Sequence, residues 1–338
     1  MNDIDAVIIW VDGSDQQWLR EKAKYERCNT DETTDASEER FRDWDNLQYV
    51  FRGIERFMPW IRTVHFVTWG HVPAWLNLDA PRLHLVKHED YIPAKYLPTF
   101  NSHTIEHNLF RINGLSDCFV YFNDDMFVLS KTERSDFFSD NELIVDTAGL
   151  NVHGFTDGIV NQLIPIMDIG IINKHFDMHD VIRKNRGKWI NLLYGPVNLR
   201  TLALERAPRF PGMYYPHLPT SLRKSTMREV WSVESGRLDE TCRHRFREAS
   251  DVNQWLYRDW DIVKGEFVPR SYKFGRAFFL DRDGLPALDE IVRYIEHRQG
   301  RVICINDGHL TPEEFALCKQ RINGALASIL PDKSSFEL

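Results

Sequence analysis

The stretch FVYFNDDMFVL, residues 119–129, decides how the rest of the chain is read. An apolar run enters Asn123, Asp124 and Asp125 and then turns apolar again. Short continuous apolar runs suit strands buried on both faces, as in a parallel sheet. A buried strand that ends in acids must solvate them or use them. Two other segments share this grammar. AVIIWVDGSD (6–15) ends in Asp12, Gly13 and Asp15, and RVICINDG (301–308) ends in Asn306, Asp307 and Gly308. VHFVTW (64–69) and LHLVKHED (83–90) are further strand candidates.

Helical spacing lies between them. Residues 45–58 put Leu47, Val50, Phe51, Ile54 and Phe57 three and four apart. After Phe100, Asn101 or Ser102 suits an N-cap, with Ile105, Leu109 and Ile112 as the apolar stripe. Alternating strand and helix predicts an α/β fold with a mainly parallel, Rossmann-like sheet flanked by helices. Ligands of such sheets sit beyond the carboxyl ends of the strands, where the three acid-terminated runs are expected to converge. We divide the chain into residues 1–134, the first part of the core, 135–215, a mostly helical insertion, and 216–338, which returns to the core with the last strand. NTDETTDASEER (29–40) reads as a mobile polar loop.

Bulk properties narrow the classes. A net charge of −8 over 338 residues argues against a broad grip on nucleic acid. Five cysteines without a CxxC pair fit reduced thiols in a cytoplasmic protein. The opening residues read as a first strand, with no signal peptide, and no run approaches a membrane span.

Several constellations carry chemistry. On a strand, Asn123 and Asp125 would share one face and Asp124 the other, and such oxygen donors suit Mg²⁺ or Mn²⁺. HTIEH (103–107) matches H-x-x-E-H, which would make His103 and His107 zinc ligands and Glu106 a base, as in a zinc metallopeptidase. That pattern needs a third ligand, and none stands out downstream. YPHLPTSLRK (215–224) sets His217 between two prolines, stiff backbone that suits a substrate-facing residue or a buried turn. CRHRFR (242–247) offers Arg245 and Arg247, of which one helix face could present only one to a phosphate. No P-loop, dinucleotide fingerprint or G-x-S-x-G elbow occurs.

Taken in order, IDAVIIWVDGSD, RDWDNLQYVFRGIERFMPWIRTVHFVTWGHVPAWLN through FVYFNDDMF, YYPHLPTSLRK through HRFREASD, and VICINDG resemble the Stealth family of sugar-1-phosphate transferases. GIINKHF, KWINLLYG and ILPDKSSFEL look like its bacterial capsule members. The resemblance implies a GT-A-like core. It also implies transfer of hexose- or N-acetylhexosamine-1-phosphate from a UDP- or GDP-sugar to a hydroxyl of a glycan, a capsular polysaccharide or oligosaccharide, with release of UMP or GMP. Position by position, it makes His217, Glu106, Asp125 and Arg247 catalytic and Asp125 with Asp307 the ligands of Mg²⁺ (or Mn²⁺). Asp5, Asp12, Gly13, Arg42, Asp45, Asn101, His103, Asn123, Arg223 and Lys224 become substrate contacts. His217 is preferred over Glu106 as the acceptor's base, its ordinary pKa being near neutrality. A cytoplasmic protein, peripheral at the membrane that carries the capsule machinery, is the expected setting. The competing expectations are a glycosyltransferase attacking the anomeric carbon, the zinc metallopeptidase, and a partner subunit that binds the donor without catalysis.

Overall fold

The acid-terminated runs become strands, but not all of one sheet. In the computed structural model, which describes residues 3–26, 34–35, 42–156, 159–280 and 285–338, the strands are β1 (Ile4–Ile9), β2 (Thr34–Asp35), β3 (Ile61–Thr68), β4 (Leu83–Lys87), β5 (Cys118–Phe122), β6 (Met126–Val128), β7 (Ile144–Asp146), β8 (Thr220–Arg223), β9 (Arg247–Glu248), β10 (Phe267–Pro269), β11 (Gly275–Phe279) and β12 (Val302–Asn306). The main sheet runs β4-β3-β1-β5-β8. Its first four strands are parallel and β8 is antiparallel to β5. A second sheet, β11-β12-β6, holds the last acid-terminated strand. The runs at 6–15 and 118–125 therefore lie side by side, while the run at 301–308 reaches them from a neighbouring layer. Apart from Thr34–Asp35, the polar stretch 29–40 lies outside the described residues, as does Cys28; Cys118, Cys242, Cys304 and Cys318 are free and buried.

Burial explains the choice of residues. Ala6, Val7 and Ile8 of β1, Val64, Phe66 and Val67 of β3, and Phe119 through Phe122 of β5 are shut off from solvent. Each such large side chain contributes roughly 1.5–3 kcal/mol. Helix Leu47–Phe57 covers one face with the spacing-predicted Leu47, Val50, Phe51, Ile54 and Phe57. Gly53 permits its approach to β6, since a Cβ there would lie 3.0 Å from the Val128 carbonyl. The chain's end seals the same helix. Phe336 packs on Phe51, and Glu337 takes Arg52 in a two-pronged pair at 2.7 and 2.8 Å.

Of the expected stripe, Leu109 and Ile112 are buried in the core, but they lie beyond helix Ser102–Asn108. It ends before Leu109, and its buried residues are His103, Thr104, Glu106, His107 and Asn108, with Ile105 only half-buried. A helix that buries its polar side is held by specific partners instead of by apolar packing. Residues 135–215 are largely helical, including Val160–His175, Met178–Lys184 and Val197–Leu204, with β7 among them. No helix among the described residues is long and apolar enough to cross a membrane.

Candidate active site

Strand β5 stops at Phe122, so residues 123–125 form a turn and the alternation expected of a strand lapses. Met126 N donates back to the Asn123 carbonyl (3.3 Å), and the chain leaves along β6. The turn spreads three side chains apart. Asn123 Oδ1 accepts from the Tyr121 hydroxyl (2.6 Å). Asp124 is solvent-accessible along its side chain, yet it lies in a crowded crevice. Neighbouring protein, Asp125 and Asp43 all push its pKa up. Asp125 points inward, where its Oδ2 accepts from Asn306 Nδ2 (3.2 Å) and its carbonyl accepts from Ile305 N (3.0 Å). Thus the second acid-terminated strand meets the third.

Asp125, His217 and Cys304 gather ligand atoms within 4.8 Å of one another. Asp125 Oδ1 and His217 Nε2 are both buried without a hydrogen-bond partner. Such orphans carry a cost of roughly 1–3 kcal/mol each, so the pair is an unfilled valence of the fold. Cys304 lies in β12, and burial pushes its thiol well up, with the Asp125 charge adding to the effect. A neutral thiol leaves the hard-donor character of the cluster to Asp125.

His217 has φ of 50°, a left-handed backbone uncommon outside glycine. Its ring is set between Trp255 and Phe279, with centroids at 6.2 and 5.5 Å. Burial pushes its pKa below the ordinary imidazole value; Asp125 and Glu106 pull it upward and Arg247 pushes it down. The imidazole is therefore neutral near pH 7 and able to accept a proton.

Glu106 stands on the buried side of its helix, where Oε2 accepts from Gln254 N (3.2 Å) and Oε1 lies 3.1 Å from the Tyr121 hydroxyl. Arg247 is not helical, because helix Ser235–Arg243 ends before it. It sits in β9, paired antiparallel to β2 with Arg247 opposite Asp35. Its guanidinium donates to Ser102 Oγ (2.7 Å) and Asn161 Oδ1 (3.3 Å), and no carboxylate pairs with it among the described residues. Arg245 is spent on the carbonyls of Tyr96 (2.5 Å) and Pro98 (2.6 Å). Sequence order alone could not choose between the two arginines.

The zinc arrangement is not formed. His107 Nε2 donates to the Val252 carbonyl (2.8 Å), which leaves Nδ1 to accept from the Tyr257 hydroxyl (2.7 Å). Burial lowers its pKa to about 4. With both nitrogens occupied, His107 cannot join His103 on a metal. His103 Nδ1 donates to Asp251 Oδ2 (3.2 Å), and Asn101 caps the helix through Oδ1 on His103 N (3.1 Å). Asp251 also receives Asn101 Nδ2 (2.8 Å), His244 Nδ1 (2.6 Å) and Glu248 N (3.0 Å). Against the cost of burial, His103 and His244 hold its carboxyl well below the usual range.

The remaining expected contacts divide by location. Asp12 and Gly13 follow β1, where Asp12 Oδ1 accepts from Ser14 N (2.8 Å) and its own N–H donates to His71 Nε2 (2.8 Å). Asp15 then caps helix Gln16–Glu26 by accepting from the N–H groups of Gln17 and Trp18. Arg42 lies over the Phe315 ring and 3.4 Å from Asp307 Oδ2, which also accepts from Trp44 Nε1 (3.1 Å). Asp307 is thus turned toward Arg42 and Trp44, outside the Asp125–His217–Cys304 group. Asp45, at φ 48°, pairs with Lys319.

Asp5, Arg223 and Lys224 lie at the opposite, amino end of the sheet. Asp5 is fully buried and holds Arg62 (2.6 and 2.9 Å), Ser116 N (2.8 Å) and His65 Nε2 (3.2 Å). Arg223 pairs with Asp261 and Glu266, and the Lys224 amine donates to the Leu115 carbonyl (2.9 Å). These three do not reach the crevice. In the other direction, sequence reasoning missed Tyr121, Asp43, Ser102 and Asn161. Only the tyrosine gave a signal, as the polar tip in an otherwise apolar strand.

Fold and crevice are those of an α/β enzyme with its functional groups beyond the carboxyl ends of parallel strands. The family model described as Stealth protein CR2, conserved region 2, matches residues 40–146, and that of Stealth protein CR1, conserved region 1, matches residues 2–28. The chain is 36% identical to the capsular polysaccharide phosphotransferase WcwK of Streptococcus pneumoniae, over 100% of this chain and 98% of that protein. It is 36% identical to the receptor polysaccharide phosphotransferase WefC of Streptococcus gordonii, over 99% of both. To the exopolysaccharide phosphotransferase cps2G of Lactiplantibacillus plantarum it is 34% identical, over 99% of this chain and 96% of that protein. The chain belongs to the Stealth family.

Proposed function

We propose that this protein is a polysaccharide phosphotransferase. It moves hexose- or N-acetylhexosamine-1-phosphate from a UDP- or GDP-sugar onto a glycan hydroxyl in capsule or exopolysaccharide synthesis. The observation that carries the reading is the unpartnered Asp125–His217 pair flanked by Glu106 and Arg247. It is supported by full-length similarity to relatives bearing that name.

In this mechanism the acceptor oxygen attacks the phosphorus next to the sugar. The new O–P bond forms as the bond from that phosphorus to the nucleoside monophosphate breaks. UMP or GMP leaves with the electron pair, and His217 Nε2 takes the hydroxyl proton. Arg247 faces the non-bridging oxygens with donors not committed to a carboxylate among the described residues, a geometry suited to a phosphoryl group. Glu106, held by Gln254 N, keeps negative charge beside the imidazole and so favours the protonated product of that transfer.

The orphaned Asp125 Oδ1 is a hard oxygen donor that fits Mg²⁺ or Mn²⁺. Asp125 would hold the ion, and Asp307, just past the adjoining β12, would join it only by turning away from Arg42 and Trp44. When bound, it would neutralise charge on the diphosphate. Asp12 and Gly13, before the amino end of helix Gln16–Glu26, suit the nucleotide side of the donor.

The test is to supply UDP- and GDP-sugars with Mg²⁺ and a capsule oligosaccharide and identify the released nucleotide. UMP or GMP is expected, with phosphorus retained in the product. Release of UDP or GDP with a phosphorus-free glycoside would replace this reading by glycosyl transfer.

A further inference from the structure

The chain as a whole is acidic, at −8, yet residues 178–209 carry seven Lys and Arg against two acids. Both acids are already neutralised, Asp180 by Arg183 and Glu205 by Arg186. Lys184, Arg200, Arg206 and Arg209 remain exposed, with no carboxylate at ion-pair distance among the described residues. The same segment presents leucines to solvent. Leu192 is 99% exposed and Leu199 72%, with Leu193 and Leu202 exposed beside them.

Local structure explains why these leucines point outward. Helix Val197–Leu204 buries Val197 and Thr201, which turns Leu199 and Leu202 away from the protein. Leu192 and Leu193 sit on a single 3₁₀ turn capped by Asn191 and tied to the helix by Asn198 Nδ2 on the Asn191 carbonyl (2.6 Å). The turn is therefore held out by polar bonds that leave its apolar side chains unused. Arg200 donates to Asn151 (2.8 Å) and Leu150 N donates to Thr201 Oγ1 (3.1 Å). These bonds hold Leu150 and Asn151 against the helix, and Val152 and Phe155, further along the same stretch, are exposed. His153, between them, stacks on Tyr215, two residues before His217. The stretch beside the helix thus touches the segment that carries His217.

A scattered exposed leucine needs no explanation, but leucines grouped among surplus cations do. A second copy of this chain fits poorly. A two-fold contact would set the same positive patch against itself. A surface that is apolar at depth and negative at its boundary matches both properties. We propose that residues 178–209 dock on an anionic lipid bilayer. Leu192, Leu193 and Leu199 enter the acyl boundary, Lys184, Arg206 and Arg209 meet the headgroups, and the crevice faces the membrane. The acidic remainder of the surface is repelled from the same headgroups, which fixes one orientation. This inference does not depend on the phosphoryl-transfer reading.

The experiment is flotation of the full chain with phosphatidylcholine vesicles, alone or mixed with phosphatidylglycerol, at low and high salt. Recruitment to the mixed vesicles, weakened by salt and absent on phosphatidylcholine alone, is expected. Leu192→Asp with Leu199→Asp should cut recruitment about ten-fold or more. Arg206→Glu with Arg209→Glu should cut it by a similar factor and flatten the salt dependence. The leucine double variant should keep its turnover on a soluble oligosaccharide acceptor. Failure of the unaltered chain to float, or equal flotation of the leucine variant, would overturn the proposal. So would a gel-filtration dimer that the leucine substitutions dissolve, which would make the face an interface between copies. Binding to native membranes but not to protein-free vesicles would assign it to a membrane protein instead.

Discussion

The two ends of the main sheet carry charge in opposite ways. At the amino end, Asp5, Arg62 and Ser116 form one closed set, and Arg223, Asp261 and Glu266 form another. Each carboxylate there has its donors and each guanidinium its acceptors. At the carboxyl end, Asp125 and His217 each keep a buried atom with no partner. Both ends look alike in a list of buried polar residues. They differ in whether these valences are filled, and that difference supports placing the proposed site at the carboxyl end.

Substitutions at the two ends should separate accordingly. Asp125→Ala removes an acid that no ion pair holds. Turnover should fall by about a thousand-fold, in line with loss of a main electrostatic stabiliser. The melting temperature should hold or rise, since a costly orphan disappears. Nucleotide release and a thermal scan on the same preparation measure both, and normal turnover would remove Asp125 from the site. Asp5→Ala is the mirror case. It strands Arg62 and His65, so unfolding in urea should show a loss of roughly 3 kcal/mol. Turnover per folded molecule should stay near that of the unaltered protein. A large catalytic loss without destabilisation would break the comparison.

The smallest effect is a shift in pH dependence. His217 must be neutral to act, and burial holds its pKa below the ordinary imidazole value. The acid limb of the rate profile should therefore lie below about pH 6.5. Arg247 presses that pKa down, so Arg247→Gln should move the limb upward while slowing turnover about a hundred-fold. Glu106 acts with the opposite sign, and Glu106→Gln should move the limb downward. Shifts in the reverse directions would take the base role from His217.

Much of this was legible because apolar runs report burial directly. The strands β1, β3, β4, β5 and β12 and helix Leu47–Phe57 follow from spacing alone. The turn at Asn123–Asp125 did not, since two strands joined by a tight turn look like one strand with a polar middle. Helix Ser102–Asn108 was visible through its cap, yet the polar side chains it buries were not. Apolar periodicity cannot report a helix held by hydrogen bonds to residues some 145 positions away, such as His107 on Val252. Resemblance placed Asp5, Arg223 and Lys224 among the substrate contacts, because they stand within the matching motifs. Strand direction sends them to the far end.

Asp251 has a consequence of a different kind. It binds Asn101 and His103 from one stretch of chain and His244 and Glu248 from another. Those stretches also deliver Glu106 and Arg247. The registration of these two groups is thus set by one rivet behind them. A change of length within residues 178–209, which hold none of the groups named at the site, leaves that rivet in place.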